Sequence, residues 1–426
     1  MIDLKELKAR RDEIAQNIRV RNMSVDIDAI IELQEKRSAL MQEVENLRAQ
    51  RNENAQKMKG KLDSQARTAL IAEGKSLKES IASVEEQLNA IDKAFSEQAG
   101  TIPNYAHPDA PVGKEDKDNT AIKFVGDIPH FTFKAKDHVQ LGESLDLIDF
   151  DTATRVSGPK FYYLKREAVI LQMALERYAM DIVIKHGFTP FITPDIAKEE
   201  ILSGIGFNPR GEESNIYTIE GTGACLVGTA EITLGGYYAD QILEREQLPI
   251  KMAGLSHCFR REAGGAGQYS KGLYRVHQFS KLEMFIYCLP EQSDAYHQQL
   301  LSIEEEIFSG LGLAYRVVDT CTGDLGAPAY RKFDIEAWMP GRGENGEYGE
   351  VTSTSNCTDY QARSLSIRYR DENGKTQFVH MLNGTAIALS RAMVAILENY
   401  QTEDGSVLIP QSLVPYTGFT KIEAKA

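Results

Sequence analysis

Cys258-Phe259-Arg260-Arg261-Glu262-Ala263-Gly264, then a polar, glycine-rich gap, then Gly272-Leu273-Tyr274-Arg275-Val276-His277-Gln278-Phe279-Ser280-Lys281-Leu282-Glu283: no other stretch of the chain says as much about its architecture. Apolar and polar residues alternate on both sides of the gap, which predicts two antiparallel strands joined by a long loop. Gly264-Gly265-Ala266-Gly267 does not carry a strand into a helix with the spacing of a dinucleotide fingerprint, and no Walker-A loop or G-x-S-x-G elbow occurs in the chain. A nucleotide here would be met by side chains. Arginines near strand ends suit phosphates, because guanidinium stays charged and pairs bidentately, and Phe279 offers a stacking face. Each arginine alone reads as a surface ion pair; the cluster points to a nucleotide site. His257 and His277 have no metal-ligand partner at helical spacing and read as structural.

Three segments extend the constellation. Leu226-Val227-Gly228-Thr229-Ala230-Glu231 places a hydroxyl and a carboxylate near a helix start. Glu350-Val351-Thr352-Ser353-Thr354-Ser355 concentrates oxygen ligands suited to a hard cation. In Leu382 to Arg391 an arginine is embedded in an apolar strand-to-helix segment, where it must be paired or meet an anion; a buried salt bridge and an anion site are equally served. Upstream, apolar periodicity predicts a long helix over 161–186 capped by Gly187. Pro190 and Pro194 confine the following strand to a sheet edge or an interface. Strand-like and helix-like segments alternate without internal repeats, an α+β pattern.

The first hundred residues differ in kind: no proline, few aromatics, long runs of Glu, Lys, Arg, Gln and Ala. Leu4, Leu7, Ile14 and Ile18 predict a short amphipathic helix. One apolar stripe runs from Ile30 to about Met58. A second, Leu70 to Ile91, steps by three and four like a coiled-coil seam, with one missed slot at Gly74. Joined by a polar turn with Asp63-Ser64 as N-cap, the stripes predict an antiparallel helical hairpin over about 27–98, each helix on the order of 50 Å long. Arg48, Arg51, Lys57, Lys59, Lys61 and Arg67 gather toward its tip, where phosphate contact and a solvated surface carry comparable weight. Residues 101–120, rich in Pro, Asn, Asp and Gly, read as a linker.

The 426 residues are 42% apolar and 26% charged, ordinary for a soluble globular protein. The net charge of −14 would usually discourage a nucleic-acid reading, but a binding surface depends on where the basic residues cluster. No apolar run approaches the roughly 18 residues that span a bilayer. The charged start lacks a signal-peptide core, so the expected location is cytoplasmic with no membrane partner. Five scattered cysteines without a C-x-x-C pair argue against structural zinc and a disulfide framework.

The proline-bounded strand, the Phe259-Arg260-x-Glu262 strand pair and Gly384 to Arg391 resemble motifs 1, 2 and 3 of the class II aminoacyl-tRNA synthetases (about 161–194, 252–285 and 380–400). With the helical hairpin, Ile102-Pro103-Asn104, Thr229-Ala230-Glu231, Val276 to Phe279, Asp359-Tyr360-Gln361-Ala362-Arg363 and Pro410 to Tyr416, nearly the whole chain resembles the seryl-tRNA synthetases, of the bacterial or organellar type. The resemblance implies an N-terminal tRNA-binding domain over 1–100 and a class II catalytic domain over 121–426, built on a mainly antiparallel sheet flanked by helices. It implies activation of L-serine with ATP to seryl-adenylate, then transfer to the 3′-terminal hydroxyl of tRNA(Ser), with tRNA(Sec) left open. It also implies a homodimer. An amino acid:carrier-protein ligase and a catalytically inactive paralogue are the alternatives; the long hairpin counts against the first and the intact charged residues against the second.

Residue by residue, the resemblance assigns serine to Thr229, Ala230, Glu231, Arg260, Glu283 and Thr385. It assigns ATP to Arg260, Arg261, Glu262, Arg275, Val276, Phe279, Glu350, Val351, Thr352, Ser353 and Arg391, with Arg260, Glu350 and Arg391 as the catalytic set. Mg²⁺ accompanying ATP falls to Glu350 and Ser353, and tRNA to the hairpin-tip cations. Gly228, Arg261, Gly349 and Thr385 depart from the residues common in the family at their positions. The serine carboxylate is already ionised at neutral pH, so the first step calls for alignment and charge neutralisation rather than a general base.

Overall fold

The computed structural model describes residues 1–61, 63–208, 214–263 and 270–424, so Gly264 to Gly267 lie outside the described residues. The chain divides into two compact units, Met1–Pro103 and Asn104–Ala426.

In the first unit, helices α1 (Arg11–Val20), α2 (Ile27–Lys57) and α3 (Ser64–Ala99) account for most of the chain. Asp26 and Asp63 cap α2 and α3 by accepting from the backbone N–H of Ala29 and Ala66. Pairs Arg37–Asp92, Arg48–Glu85 and Asn54–Leu70 show α2 and α3 running antiparallel, with Ile30, Val44, Leu77, Ile81 and Val84 buried. The missed slot at Gly74 has a physical cause. Buried Asn54 crosses there: its Nδ2 donates to the Leu70 carbonyl (3.2 Å) and to Glu73 (2.8 Å), and a Cβ on Gly74 would lie 3.2 Å from its Oδ1. A polar crossing in an apolar seam favours one register. The opening helix is not continuous as the periodicity predicted. A 3₁₀ turn at Leu4–Glu6 precedes α1, yet Leu7, Ile14 and Ile18 are buried all the same.

The second unit is built on an eight-stranded sheet. Its strands are β1 (Thr120–Val125), β2 (Thr189–Ile192), β3 (Ile250–Phe259), β4 (Gln278–Cys288), β5 (Tyr315–Asp319), β6 (Arg331–Met339), β7 (Glu347–Asn356) and β8 (His380–Ala388), in the order β1-β5-β6-β7-β8-β4-β3-β2. Every neighbouring pair is antiparallel except β2–β3. Helices α4 (His138–Ser144), α5 (Glu167–Lys185), α6 (Ala230–Gly235), α7 (Ser293–Gly310) and α8 (Leu389–Asn399) flank it. Leu171 and Leu175 of α5, Ile303 and Ile307 of α7, and Met393 and Ile396 of α8 join Leu282, Ile286, Ile335 and Leu382 of the sheet in the main core.

The proline-bounded strand is an edge strand, β2, as expected, and Gly187 ends α5 at φ +83°. The helix before it starts at Glu167, not at 161. Tyr163–Leu164 pairs instead with Ile148–Asp149, and Lys160 and Arg166 sit at positive φ on either side, a backbone break to which apolar periodicity is blind.

Two register shifts interrupt the central strands. Leu282 faces Ile387 while Glu283 faces Thr385, so Ala386 is extra on β8. Ile335 faces Thr352 while Glu336 faces Glu350, so Val351 is extra on β7. Such bulges bend a strand and re-aim its side chains.

Candidate active site

A cavity of about 250 Å³ opens on the sheet over β4, β7 and β8. Side chains two apart on a strand share a face, so β4 presents Phe279, Lys281 and Glu283 together, and all three line the cavity. The bulge on β8 sets Thr385 beside Glu283, and the Thr385 hydroxyl donates to Glu283 Oε2 at 3.2 Å. Lys281 forms an ion pair with Glu283 and donates to Thr385 Oγ1 at 3.3 Å.

The start of α6 closes this end. Thr229 caps the helix and Glu231 turns inward, 9% exposed, accepting from Gln361 Nε2 (2.8 Å) and Asn383 Nδ2 (3.1 Å). Burial, then the neighbouring charge of Glu283, pushes the Glu231 carboxyl up to about 7. The pocket therefore holds two carboxyl groups, one of them pushed up to about 7, with Lys281 paired to the other and Arg260 also on the wall.

Arg260 lies just past β3, its Nε donating to the Gly228 carbonyl (3.3 Å) and its guanidinium 5.4 Å above the Phe279 ring. His277 Nδ1 contacts the Arg260 carbonyl at 2.9 Å, and His257 Nδ1 contacts Asp195 at 2.9 Å, so both histidines serve structure. Glu262, at φ +49°, pairs with Arg275 at 2.9 Å.

At the far end Arg391, in the first turn of α8, donates to the Glu350 carboxylate (2.9 Å) and carbonyl (3.0 Å). Tyr274 lies beneath, its ring 4.7 Å from Arg391 and 4.9 Å from Arg342, its hydroxyl donating to the Glu350 carbonyl. Burial would raise the Glu350 carboxyl, but Arg391, then Lys332 and Arg260, hold it below its ordinary value. The β6–β7 register puts Ser353 opposite Asp334, whose carboxyl burial pushes up to about 6 despite the charge of Lys332. Among the described residues no set of three or more His, Cys, Asp or Glu is arranged to hold a metal ion. Glu350 and Ser353 offer a hard cation two oxygens on the cavity wall, which suits one that completes its shell from phosphate and water.

The arrangement is two-ended: a small polar pocket at one end and an arginine-bearing wall at the other. Similarity to known proteins gives the family. Residues 1–106 match the seryl-tRNA synthetase N-terminal domain, and residues 217–400 match the class II tRNA synthetase core domain (G, H, P, S and T). The chain is 64% identical to a serine–tRNA ligase of Treponema denticola over 99% of its own length and all of the relative's. It is 54% identical to one of Treponema pallidum over 98% of both chains. The chain belongs to the seryl-tRNA synthetase family. Its structure superposes on a crystal structure of seryl-tRNA synthetase from Pyrococcus horikoshii complexed with ATP, with TM-score 0.89, 39% identity and complete coverage of both chains. A cytoplasmic serine–tRNA ligase from Naegleria fowleri in complex with AMP gives TM-score 0.84 at 30% identity, covering 100% of this chain and 99% of that one.

Within this family fold, most residues singled out from sequence line one cavity: Thr229, Glu231, Arg260, Glu262, Arg275, Val276, Phe279, Glu283, Glu350, Val351, Thr352, Ser353, Thr385 and Arg391. Two do not. Ala230 is buried behind it under β3, and Arg261 is exposed, its backbone N–H donating to the Asn215 carbonyl. Lys281, Asn383, Gln361 and Tyr274 were missed. Strand alternation through Phe279 and Glu283 signals Lys281; nothing local signals Gln361, which reaches Glu231 across 130 residues.

The hairpin-tip cations divide. Arg48 pairs with Glu85 (2.7 Å) and Lys57 with Glu53 (3.0 Å). Arg51, Lys59, Lys61 and Arg67 are exposed.

Proposed function

We propose that this chain is a serine–tRNA ligase that makes seryl-adenylate from L-serine and ATP, releases pyrophosphate, and transfers the seryl group to the 3′-terminal hydroxyl of tRNA(Ser). The observation that carries the reading is the two-ended cavity in a chain similar over its full length to such ligases. Glu231 and Glu283 receive the ammonium group. Thr385 and Glu283 meet the hydroxyl, and Arg260 takes the carboxylate and the α-phosphate. An alanine substrate would leave the Thr385–Glu283 pair short of a partner, which is the basis of discrimination. Glu262 reaches the adenine amino group and Phe279 stacks on the ring. Arg391 faces the outer phosphate; Glu350 and Ser353 would hold Mg²⁺ accompanying ATP. The ion's contribution is neutralisation of phosphate charge.

The in-line attack needs no proton acceptor, because the nucleophile is a carboxylate. The site's task is to align it and to stabilise charge on the leaving pyrophosphate. The exposed cations Arg51, Lys59, Lys61 and Arg67 of the helical hairpin, with Arg48 and Lys57, form the tRNA-facing surface. A homodimer is part of the reading. Edge strand β2 carries Ile192, 87% exposed, and α5 leaves Ile170, Met173 and Ile184 open, apolar surface that a second copy would cover. Among the described residues no helix is long and apolar enough to cross a membrane; a cytoplasmic place of action belongs to the proposal. Serine-dependent ATP–pyrophosphate exchange, followed by charging of purified tRNA(Ser), tests the function. Exchange driven by another amino acid and not by serine would overturn it.

A further inference from the structure

Behind the cationic end of the cavity lies a buried hydrogen-bonded pair that the proposed chemistry does not use. His138, the first residue of α4, and Glu398, near the end of α8, are both completely buried. His138 Nδ1 lies 2.7 Å from Glu398 Oε1, and the His138 backbone N–H donates to the same oxygen at 3.0 Å. Glu398 Oε2 accepts from the backbone N–H of Gly341, in the β6–β7 turn, at 2.7 Å. On the other side of the ring, His138 Nε2 accepts from the backbone N–H of Leu273 at 3.1 Å. An acceptor Nε2 carries no proton, so Nδ1 is the donor to Glu398.

One buried carboxylate and one imidazole thus fasten three separate segments: the turn leading into β4, the β6–β7 turn and α8. Each segment delivers a group to the same aromatic platform. Tyr274 follows Leu273 directly, Arg342 follows Gly341 directly, and Arg391 lies two turns before Glu398; both guanidiniums sit over the Tyr274 ring. Arg275 comes one residue later. Two glycines make the approach possible. A Cβ on Gly272, at φ +56°, would fall 2.2 Å from His138 Nε2, and one on Gly341 would fall 2.8 Å from Glu398 Oε1. An ion pair of Lys271 with Asp137, the cap of α4, adds a second tie to the same return. A buried polar network whose members are hydrogen-bonded fixes one arrangement of the segments it joins.

We propose that His138, held by Glu398, is a positioning residue for the nucleotide end of the site, setting Tyr274 and Arg275 against Arg342 and Arg391 through the Leu273 backbone. The proposal rests on reading that end of the cavity as the ATP site. It deepens that reading by making ATP affinity, and not serine affinity, depend on a side chain that touches neither substrate.

The test uses the full chain with His138→Asn and His138→Gln. Asparagine places an amide N–H near the Nδ1 position and keeps the donation to Glu398, but loses the acceptor for Leu273. Glutamine places a carbonyl near the Nε2 position and restores that acceptor. His138→Asn is expected to weaken ATP at least about fivefold, the scale of one lost hydrogen bond. The readouts are calorimetric ATP binding and the KM for ATP in pyrophosphate exchange, with the KM for serine moving less than about twofold. His138→Gln is expected to recover most of the ATP affinity. Equal weakening of both substrates, unchanged ATP affinity, or no recovery by glutamine would overturn the proposal. If His138→Asn does not fold, Gly272→Ala breaks the same contact from the side of the turn before β4; failure of both to fold would assign the pair to stability alone and also overturn it. A wild-type chain without serine-dependent exchange would sink the proposed function instead, while calorimetric ATP binding still reads the positioning role.

Discussion

Glu231→Gln should make the empty protein more stable, and increasingly so as pH rises. Burial and the charge of Glu283 push the Glu231 carboxyl from an ordinary 4.5 up to about 7. Between those values the folded chain keeps a proton that the unfolded chain has lost, so stability falls as pH rises through the window. A shift of that size corresponds to roughly 3 kcal/mol at pH 8.5 and to about 1 kcal/mol at pH 5.5. Glutamine removes the titration and keeps an amide oxygen for Gln361 and Asn383, which both donate to Glu231 Oε1. With about 2.1 cal/mol/K of unfolding entropy per residue across residues 104–426, the variant should melt about 5 °C above wild type at pH 8.5, with a gap of only 1–2 °C at pH 5.5. Differential scanning calorimetry of the ligand-free protein at the two pH values reads this directly. The same variant should lose at least about tenfold in serine affinity, because a cation no longer meets an ionised carboxylate. Wild-type serine affinity should fall as pH drops below about 7, a dependence absent from the variant. An equal melting gap at both pH values, or a variant less stable at pH 8.5, would refute the reasoning.

The same geometry sets three other outcomes. Arg391→Gln removes the cation proposed to face the outer phosphate and should lower kcat for pyrophosphate exchange by about 10²–10³ with a smaller change in the KM for serine; a loss under tenfold would remove Arg391 from the catalytic set. Thr385→Ala deletes the hydroxyl that donates to Glu283 and should cost about tenfold in kcat/KM for serine while narrowing the margin over alanine, measured by exchange with each amino acid. Deleting residues 34–93, most of the helical hairpin, should abolish tRNA charging and spare serine-dependent exchange; loss of both together would contradict the division of labour.

Much of the fold was legible in the chain. Hairpin periodicity foretold α2 and α3, and alternation around Phe259 and Phe279 foretold the β3–β4 pair, because both patterns are local and arise from 3.6- and 2-residue periods. The prolines around Phe191 foretold an edge strand. The break before Glu167 escaped, since positive φ at Lys160 and Arg166 leaves no apolar trace. Residue chemistry, apart from the family resemblance, read Arg391 as an embedded cation needing a partner, and that partner is Glu350.

Residue order alone was enough for the elements and the family: helical seams, the strand pair, the residue types of a charge-neutralising site. Local periods and matched motifs are properties of neighbours along the chain. Which of those residues meet was settled by the three-dimensional packing. Bulges at Ala386 and Val351 set Thr385 beside Glu283 and aim Glu350 at Arg391. Gln361 reaches Glu231, and Glu398 reaches His138 across 260 residues. Such contacts depend on strand order and register, which no local pattern carries, and they set the environment of Glu231 at one end of the cavity and the shape of the wall at the other.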